Sequence, residues 1–239
     1  MCGRCASTRS SATLAAEFDA IDQVGDAARP SYNVAPTQQV RVVLERSPRD
    51  EPDAPPQRRL TTARWGLVPS WAKDPKIGSR MINARAESFL EKPSFKAAAR
   101  RRRALIPADG YYEWQKTSDG AKVPHFLHRG DELLALAGLY ELWRDPERAD
   151  DDPDRWRLTC TILTTTAPDT LGHVHDRCPV IIPQELHEDW LDPSITDPAA
   201  VHDLLAGVPQ PHLEPRVVSS RVNNVHNDTP DLIEPANRA

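Results

Sequence analysis

The stretch LLALAGLY at 133–140, followed by LTCTILTTT at 158–166, decides the fold class of this chain of 239 residues. The first segment is rich in Leu and the second in Thr, Leu and Ile, and such apolar and β-branched residues are typical of buried β-strands. Shorter segments of similar composition recur along the chain. They lie at 39–45, 60–67, 104–106, 125–128, 180–182 and 216–219. The sequence therefore predicts a protein built mainly from strands.

Helices are predicted between these strands at 8–18, 84–90, 94–102, 184–191 and 199–205. The last of them has Asp197-Pro198 as a start signal and Gly207 as a stop signal. Strands and helices do not alternate as βαβ units, so we expect an α+β fold: a mostly antiparallel, curved or barrel-like sheet flanked by short helices. We expect one domain over 1–239, with a proline-rich surface insertion at 46–59 and an acidic one at 144–155.

Composition narrows the possible partners and the compartment. The net charge of −5 argues against non-specific duplex binding over the whole surface, although it leaves room for a local basic groove. The arginine run at 100–103 has two interpretations, a solvated helix end or a phosphate contact. No stretch approaches the ~20 apolar residues of a membrane span, and the N-terminus lacks the apolar core of a signal peptide. We therefore expect a cytoplasmic monomer that does not associate with membranes.

Cys2 directly follows the initiator methionine. Removal of Met1 would leave an N-terminal cysteine whose α-amine and thiol have pKa values of roughly 7.7–8.0 and roughly 8.5, so both nucleophiles are partly available near neutral pH. Such a 1,2-aminothiol attacks an aldehyde with nitrogen and closes a five-membered thiazolidine with sulfur. The alternative is an incidental cysteine in a flexible terminus.

Six polar motifs occur along the chain. They are SYNVAPT at 31–37, RWGLVPSW at 64–71, MINARAES at 81–88, DGYYEW at 109–114, HVHDRCPVI at 173–181 and NNVHNDTP at 223–230. Together with the MCGR start, and in this order, they resemble the SRAP proteins, the SOS-response-associated peptidase family, over about residues 2–235. The resemblance implies capture of the ring-opened aldehyde of an abasic site in single-stranded DNA. The thiazolidine crosslink would shield the lesion, without a cofactor, and would place the protein on the nucleoid when it is bound to damaged DNA.

The resemblance also implies four catalytic residues. Cys2 would be the double nucleophile. Asn83 would hydrogen-bond near the attacking N-terminus, although it could instead cap a helix. Glu113 would be the acid/base, partly desolvated between two aromatic residues, although it could face outward from a strand. His175 would assist opening of the deoxyribose ring and reversal of the crosslink.

DNA binding is assigned to arginines and aromatic side chains within the same motifs. Trp65 could instead pack in the core, and Asn33 could instead belong to a turn. The candidates are Arg4, Asn33, Trp65, Trp71, Arg85 and Arg177.

Cys5 departs from the family pattern, which more often has an aromatic residue at this position. It creates a Cys2-x-x-Cys5 spacing that zinc sites also use, and His173 and His175 would complete four ligands. We favour a small buried Cys5, a solvent-exposed His173 and no metal. Two other functions stay open: a cysteine peptidase using Cys2, His175 and Asn83, whose action could be confined to removing Met1, and a non-catalytic zinc or modified-base binding module.

Overall fold

The structure is a computed structural model that describes residues 2–48, 51, 53–209 and 212–236. Its strands are β1 Cys5–Ser7, β2 Ile21–Asp22, β3 Ser31–Val34, β4 Gln39–Arg46, β5 Gln57–Trp65, β6 Asn83–Arg85, β7 Arg103–Ala108, β8 Gly110–Lys116, β9 Lys122–His128, β10 Leu134–Arg144, β11 Trp156–Thr166, β12 Arg177–Pro179 and β13 Glu214–Val217. Its α-helices are α1 Ser11–Glu17, α2 Lys96–Arg101, α3 Asp169–Gly172, α4 His187–Leu191 and α5 Pro198–Ala206. Short 3₁₀ turns connect several of them.

Five strands close into a barrel in the order β11–β10–β7–β4–β5. The neighbours within this order are antiparallel, and β5 returns to β11 through a parallel contact that pairs Arg64 with Thr159 and Trp65 with Cys160. Closure removes the exposed edges that an open sheet would leave.

Alternation along β10 separates the interior of the barrel from its outer face. Leu134, Leu136 and Tyr140 belong to the core inside the barrel, whereas the intervening residues belong to a second core that α1, α2, α4 and α5 cover. Gly138 also points inward, where a Cβ atom would lie 2.1 Å from Cδ1 of Ile106. The barrel is therefore filled with side chains at this level.

A second sheet, β13–β9–β8–β1–β3, packs against the barrel. Tyr111 and Leu127 pair across β8 and β9 and face the barrel core, whereas their neighbours Tyr112 and Phe126 face the opposite side. Because Glu113 lies two residues after Tyr111, it also faces inward. Because β8 also pairs with β1, this register brings Glu113 of the DGYYEW motif close to the start of the chain.

The predicted α+β class with a mostly antiparallel, barrel-like sheet is confirmed. The helix predicted at 84–90 is wrong, because Asn83–Arg85 forms β6, pairs in parallel with β11 and leads into turns. The insertion predicted at 46–59 is the connection between β4 and β5, and residues 49, 50 and 52 of it lie outside the described residues. No helix in the described ranges is long and apolar enough to cross a membrane.

Candidate functional site

Cys2 precedes β1 and is completely buried. The side-chain amide of Asn83 donates a hydrogen bond to the carbonyl oxygen of Cys2 at 2.7 Å. Pairing of β6 with β11 fixes Asn83 at this position, so the tertiary contact and not a helix cap decides its place. The Oδ1 atom of Asn83 is buried and accepts no hydrogen bond within the part of the chain that the structure describes.

Glu113 faces the same interior and is 4% exposed. Burial raises the pKa of its carboxyl group, because desolvation disfavours the charged form. The negative charge of Glu113 in turn helps to raise the pKa of the Cys2 thiol, so the two groups lie within electrostatic reach of each other. The outward-facing alternative for Glu113 is thereby excluded.

His175 lies in the turn that follows α3 and is partly exposed. The backbone N–H of Arg177 donates to its Nδ1 at 3.0 Å, and Oδ1 of Asp176 lies 2.9 Å from the same nitrogen. Nδ1 can therefore accept from Arg177 when the ring is neutral and donate to Asp176 when the ring is protonated. His175 also acts on the ionisation of Glu113, which places it beside the acidic group.

Burial is the main cause that raises the pKa of the Cys2 thiol well above its ordinary value. The thiol is therefore protonated at neutral pH and is a poor nucleophile in that form. Two further residues of this core, Tyr111 and Cys178, were not assigned from the sequence. Burial raises the pKa of Tyr111 well above its ordinary value and that of Cys178 to about 11. Strand alternation in DGYYEW was the available sign that Tyr111 shares the face of Glu113.

The predicted DNA contacts fall into two groups, and three of them lie at the surface or near it. Trp71 is 59% exposed, and Arg85 is exposed as well. Arg177 forms a bidentate ion pair with Glu87, at 2.7 and 2.9 Å, and lowers the pKa of that carboxyl group. A phosphate at Arg177 would therefore have to compete with Glu87.

A close backbone approach shapes the loop that presents Trp71. Gly66 has φ +126°, and a Cβ atom there would lie 2.6 Å from the carbonyl oxygen of Gly78. The carbonyl oxygen of Ala72 accepts a hydrogen bond from Nε1 of the buried Trp143 at 2.7 Å. The Gly66–Gly78 approach and the Trp143–Ala72 hydrogen bond therefore fix the loop on both sides of Trp71.

The other three predicted DNA contacts have partners within the protein. Trp65 is completely buried, and its Nε1 donates to the carbonyl oxygen of Ile82, so it has no ring face for a base. Asn33 is 2% exposed and is hydrogen-bonded within the protein. Arg4 is half-buried and donates through Nη1 to Asn33 Oδ1 at 2.6 Å.

Asn33 and Arg4 hold residues 220–228, which we call the C-terminal segment. The Nδ2 atom of Asn33 lies within hydrogen-bonding distance of the carbonyl oxygens of Asn227 (2.7 Å), Asn224 (3.1 Å) and Val222 (3.3 Å). Arg4 Nη1 also donates to the Val222 carbonyl oxygen at 2.7 Å. The two residues therefore join the first strand, β3 and the C-terminal segment.

The thiol of Cys5 lies in the barrel core, and burial raises its pKa to about 12. His173 is exposed, and its carbonyl oxygen accepts a hydrogen bond from Gln115. Among the described residues, no three or more His, Cys, Asp or Glu side chains are arranged to hold a metal ion. Cys2, Cys5, His173 and His175 therefore do not form a metal site in this structure.

Comparison with solved structures supports the fold. A protein from Bacteroides thetaiotaomicron superposes with a TM-score of 0.80 at 23% identity, covering 98% of this chain and 100% of that one. A phage-related protein from Bordetella bronchiseptica superposes with a TM-score of 0.65 at 28% identity, covering 92% and 95%.

Comparison of sequences gives the family. The abasic site processing protein YoqW of Bacillus subtilis is 41% identical over 243 residues, covering 98% of this chain and 99% of its own length. The abasic site processing protein HMCES of Gallus gallus is 32% identical over 231 residues, covering 87% of this chain and 66% of its own length. The family model described as SOS response associated peptidase (SRAP) matches residues 1–225. This chain belongs to the SRAP family.

Proposed function

We propose that this protein captures abasic sites in single-stranded DNA by forming a covalent thiazolidine crosslink through Cys2. The observation that carries the proposal is that three separate segments, those of Asn83, Glu113 and His175, converge around the buried Cys2. Asn83 holds the carbonyl of Cys2, Glu113 lies within its electrostatic reach, and His175 acts on Glu113. The names of the relatives YoqW and HMCES, abasic site processing proteins, agree with this chemistry.

The proposed reaction begins with hydrolysis of the Met1–Cys2 peptide bond, which frees the α-amine of Cys2. The amine attacks C1 of the ring-opened deoxyribose, and the resulting carbinolamine loses water to give an imine. The Cys2 sulfur then adds to the imine carbon while the thiol proton moves to nitrogen. The net change joins one aldehyde and one aminothiol into a thiazolidine and releases one water molecule.

The surrounding residues have defined tasks in this sequence. Asn83 orients the N-terminus through the Cys2 carbonyl, and its buried Oδ1, which accepts no hydrogen bond from the described residues, is an acceptor for the freed amine. Glu113, with its raised pKa, supplies a proton to the departing water. His175 opens the sugar ring by proton transfer, since an imidazole can donate and accept near neutral pH.

The raised pKa of the Cys2 thiol disfavours the alternative of a general cysteine peptidase. Such an enzyme needs an activated thiolate, whereas burial favours the protonated thiol here. The hydrogen bond from Asn83 goes to the Cys2 carbonyl and not to the sulfur. Peptide-bond hydrolysis is therefore assigned only to removal of Met1, with Glu113 assisting.

Denaturing electrophoresis after incubation with abasic single-stranded DNA tests the proposal. Wild-type protein should give a slower, denaturant-stable band, and Cys2→Ala should give none, because sulfur closes the ring. Cys178→Ser is the matched control, since Cys178 is also buried in this core and should be dispensable. A wild-type yield from Cys2→Ala, or an intact mass showing Met1 in the crosslinked product, would overturn the mechanism.

A further inference from the structure

A groove lies on the outer surface where β4, β5 and β11 meet. It consists of two adjoining cavities of about 320 and about 400 Å³ that share Gln39 and Thr62. The first cavity extends from the exposed Arg29 to Cys5 and the buried Arg41. The second extends towards β11. None of the residues assigned to the thiazolidine chemistry lines this groove.

The charge of the groove is opposite to that of the whole chain. The protein has a net charge of −5, yet the lining contains five arginines and one carboxylate, that of Asp154. The five are Arg29, Arg41, Arg64, Arg148 and Arg157. A positive cleft on an acidic protein attracts an anionic ligand selectively.

Not all of these charges are available. Arg148 pairs with Asp145, Asp152 and Asp154 of the acidic loop, and Arg157 shares Asp145. Arg29 and Arg64, in contrast, form no ion pair with any carboxylate of the described chain. They are the cations that a ligand could neutralise.

Arg41 adds a buried positive charge beneath the groove. It is 4% exposed and donates to neutral acceptors, namely the Ser7 carbonyl and hydroxyl oxygens and the Arg9 carbonyl oxygen. The carboxylate of Asp109 acts on Arg41 electrostatically but also pairs with Arg9. Because a buried charge without an ion-pair partner is costly, an anion in the first cavity would stabilise it.

The second cavity also offers an aromatic surface. Trp156 is 41% exposed, and the guanidinium of Arg155 lies 6.0 Å from the centre of its ring. Gln39 and Thr62 add an amide and a hydroxyl group between the arginines. Cations, small polar donors and an exposed aromatic ring along one groove are the elements that bind single-stranded nucleic acid.

The groove connects to the loop that presents Trp71. The guanidinium of Arg157 lies over the ring of Trp143 at 5.5 Å, and Trp143 in turn donates to the carbonyl of Ala72. Ala72 directly follows the exposed Trp71. Arg157 of the groove and the loop that presents Trp71 therefore contact the same buried ring.

We propose that this groove binds the unpaired DNA strand that flanks the lesion, with phosphates at Arg29 and Arg64 and a base against Trp156. The inference rests on the proposed function for the identity of the strand. It assigns the groove to affinity for the flanking strand and leaves the covalent step to Cys2.

Binding of intact single-stranded oligonucleotides of about 6 and about 20 nucleotides, followed by fluorescence anisotropy over a range of salt concentrations, tests the groove. Arg64→Gln should weaken binding of the long oligonucleotide only and make its log–log salt slope shallower by about 0.7, the value for one lost phosphate contact. Arg64→Lys should keep the slope. Trp156→Ala should weaken binding of the long oligonucleotide about fivefold or more without changing the slope.

Arg129→Gln is the matched control, because Arg129 lies in the turn between β9 and β10, outside the groove, and pairs with Glu132. It should leave both oligonucleotides unaffected. Equal losses for short and long oligonucleotides, or an Arg64→Gln protein that behaves like Arg129→Gln, would overturn the proposal. If Arg64→Gln does not fold, Arg29→Gln applies the same slope criterion at an exposed position.

A crosslinking experiment tests the groove and the proposed covalent function independently of each other. At a saturating concentration of the short oligonucleotide with an abasic site, the Arg64→Gln protein should form the crosslink at the wild-type rate. Absence of any crosslink with wild-type protein would refute the covalent function, whereas the dependence of binding on length and salt would still decide the groove. A slower crosslinking rate for Arg64→Gln on the short oligonucleotide would place Arg64 in the reaction site and refute the groove.

Discussion

Asn33→Ala should loosen the attachment of the C-terminal segment to β3. Asn33 is 2% exposed, and its two amide protons serve carbonyl oxygens of the C-terminal segment. Its Oδ1 accepts from Arg4. Alanine keeps the backbone of β3 and removes all of these hydrogen bonds at once, so the effect reports on this connection alone.

The expected loss in the free energy of unfolding follows from the hydrogen bonds that the substitution removes. Two neutral hydrogen bonds contribute about 1 kcal/mol each, and the bond from the charged Arg4 contributes about 1.5–3 kcal/mol. Water can reach the carbonyls of Asn224 and Asn227, which are exposed or partly exposed residues, so we expect a loss near 3 kcal/mol. Domains of this kind are stable by about 5–15 kcal/mol, so this loss is large.

Urea unfolding, followed by circular dichroism, measures the loss, and limited proteolysis locates it. New cleavage within the C-terminal segment of the native Asn33→Ala protein is expected. Arg221→Gln is the control, because it removes an exposed ion pair with Asp231 in the same part of the chain and should leave the free energy of unfolding close to that of wild type. A loss below about 1 kcal/mol, with the proteolysis pattern of wild type, would refute the connecting role of Asn33.

Three further outcomes are expected. Glu113→Gln should slow crosslinking and should raise the free energy of unfolding, measured with urea, above pH 7. Burial raises the pKa of Glu113 in the folded protein, so the stability of the wild type falls as pH rises from about 4.3 through that raised pKa. An equal pH dependence of the two proteins would contradict this. Trp71→Ala should weaken single-stranded DNA binding by about 1–3 kcal/mol without lowering the melting temperature, because the ring is 59% exposed; a matching loss of stability would indicate a packing role. Gly138→Ala should destabilise the folded protein by about 1–3 kcal/mol in thermal unfolding, because the new Cβ atom would meet the side chain of Ile106. Gly172→Ala is the control and should have no such effect, because the space around Gly172 is open.

The sequence predicted the barrel strands well because their side chains alternate between two apolar cores. In β10, both faces are buried, so the segment reads as a continuous apolar run and its length separates it from a helix. The helix predicted at 84–90 failed for a different reason. Pairing with β11 holds Asn83–Arg85 extended, and no local pattern reveals a parallel partner about 80 residues away.

The site residues were predicted where chemistry and strand geometry agree. The structure brings Asn83 and Glu113 to Cys2, and His175 to Glu113, but the sequence could not separate Trp65 from Trp71. The two rings belong to one motif, and the backbone turn at Gly66 sends the chain from the buried β5 to the surface between them.

Arg4 and Asn33 show the same limit for polar residues. Arginine and asparagine side chains suit a buried hydrogen-bond network as well as a DNA contact, so residue type alone does not distinguish the two roles. The deciding partner of Asn33 is the backbone of the C-terminal segment, about 190 residues later in the chain. Only the three-dimensional pairing identifies these side chains as internal supports for the first strand.

Burial of Cys2 decides the order of events in the proposed reaction. Burial holds the thiol protonated, and a protonated thiol is a poor nucleophile, whereas the freed amine attacks the aldehyde through its own lone pair. Nitrogen therefore attacks first, and the imine it forms accepts the thiol proton when sulfur closes the ring. Because this transfer is internal, the site needs no base to activate the sulfur. The position of Asn83, on the backbone carbonyl and away from Sγ, follows the same logic: it orients the group that reacts first.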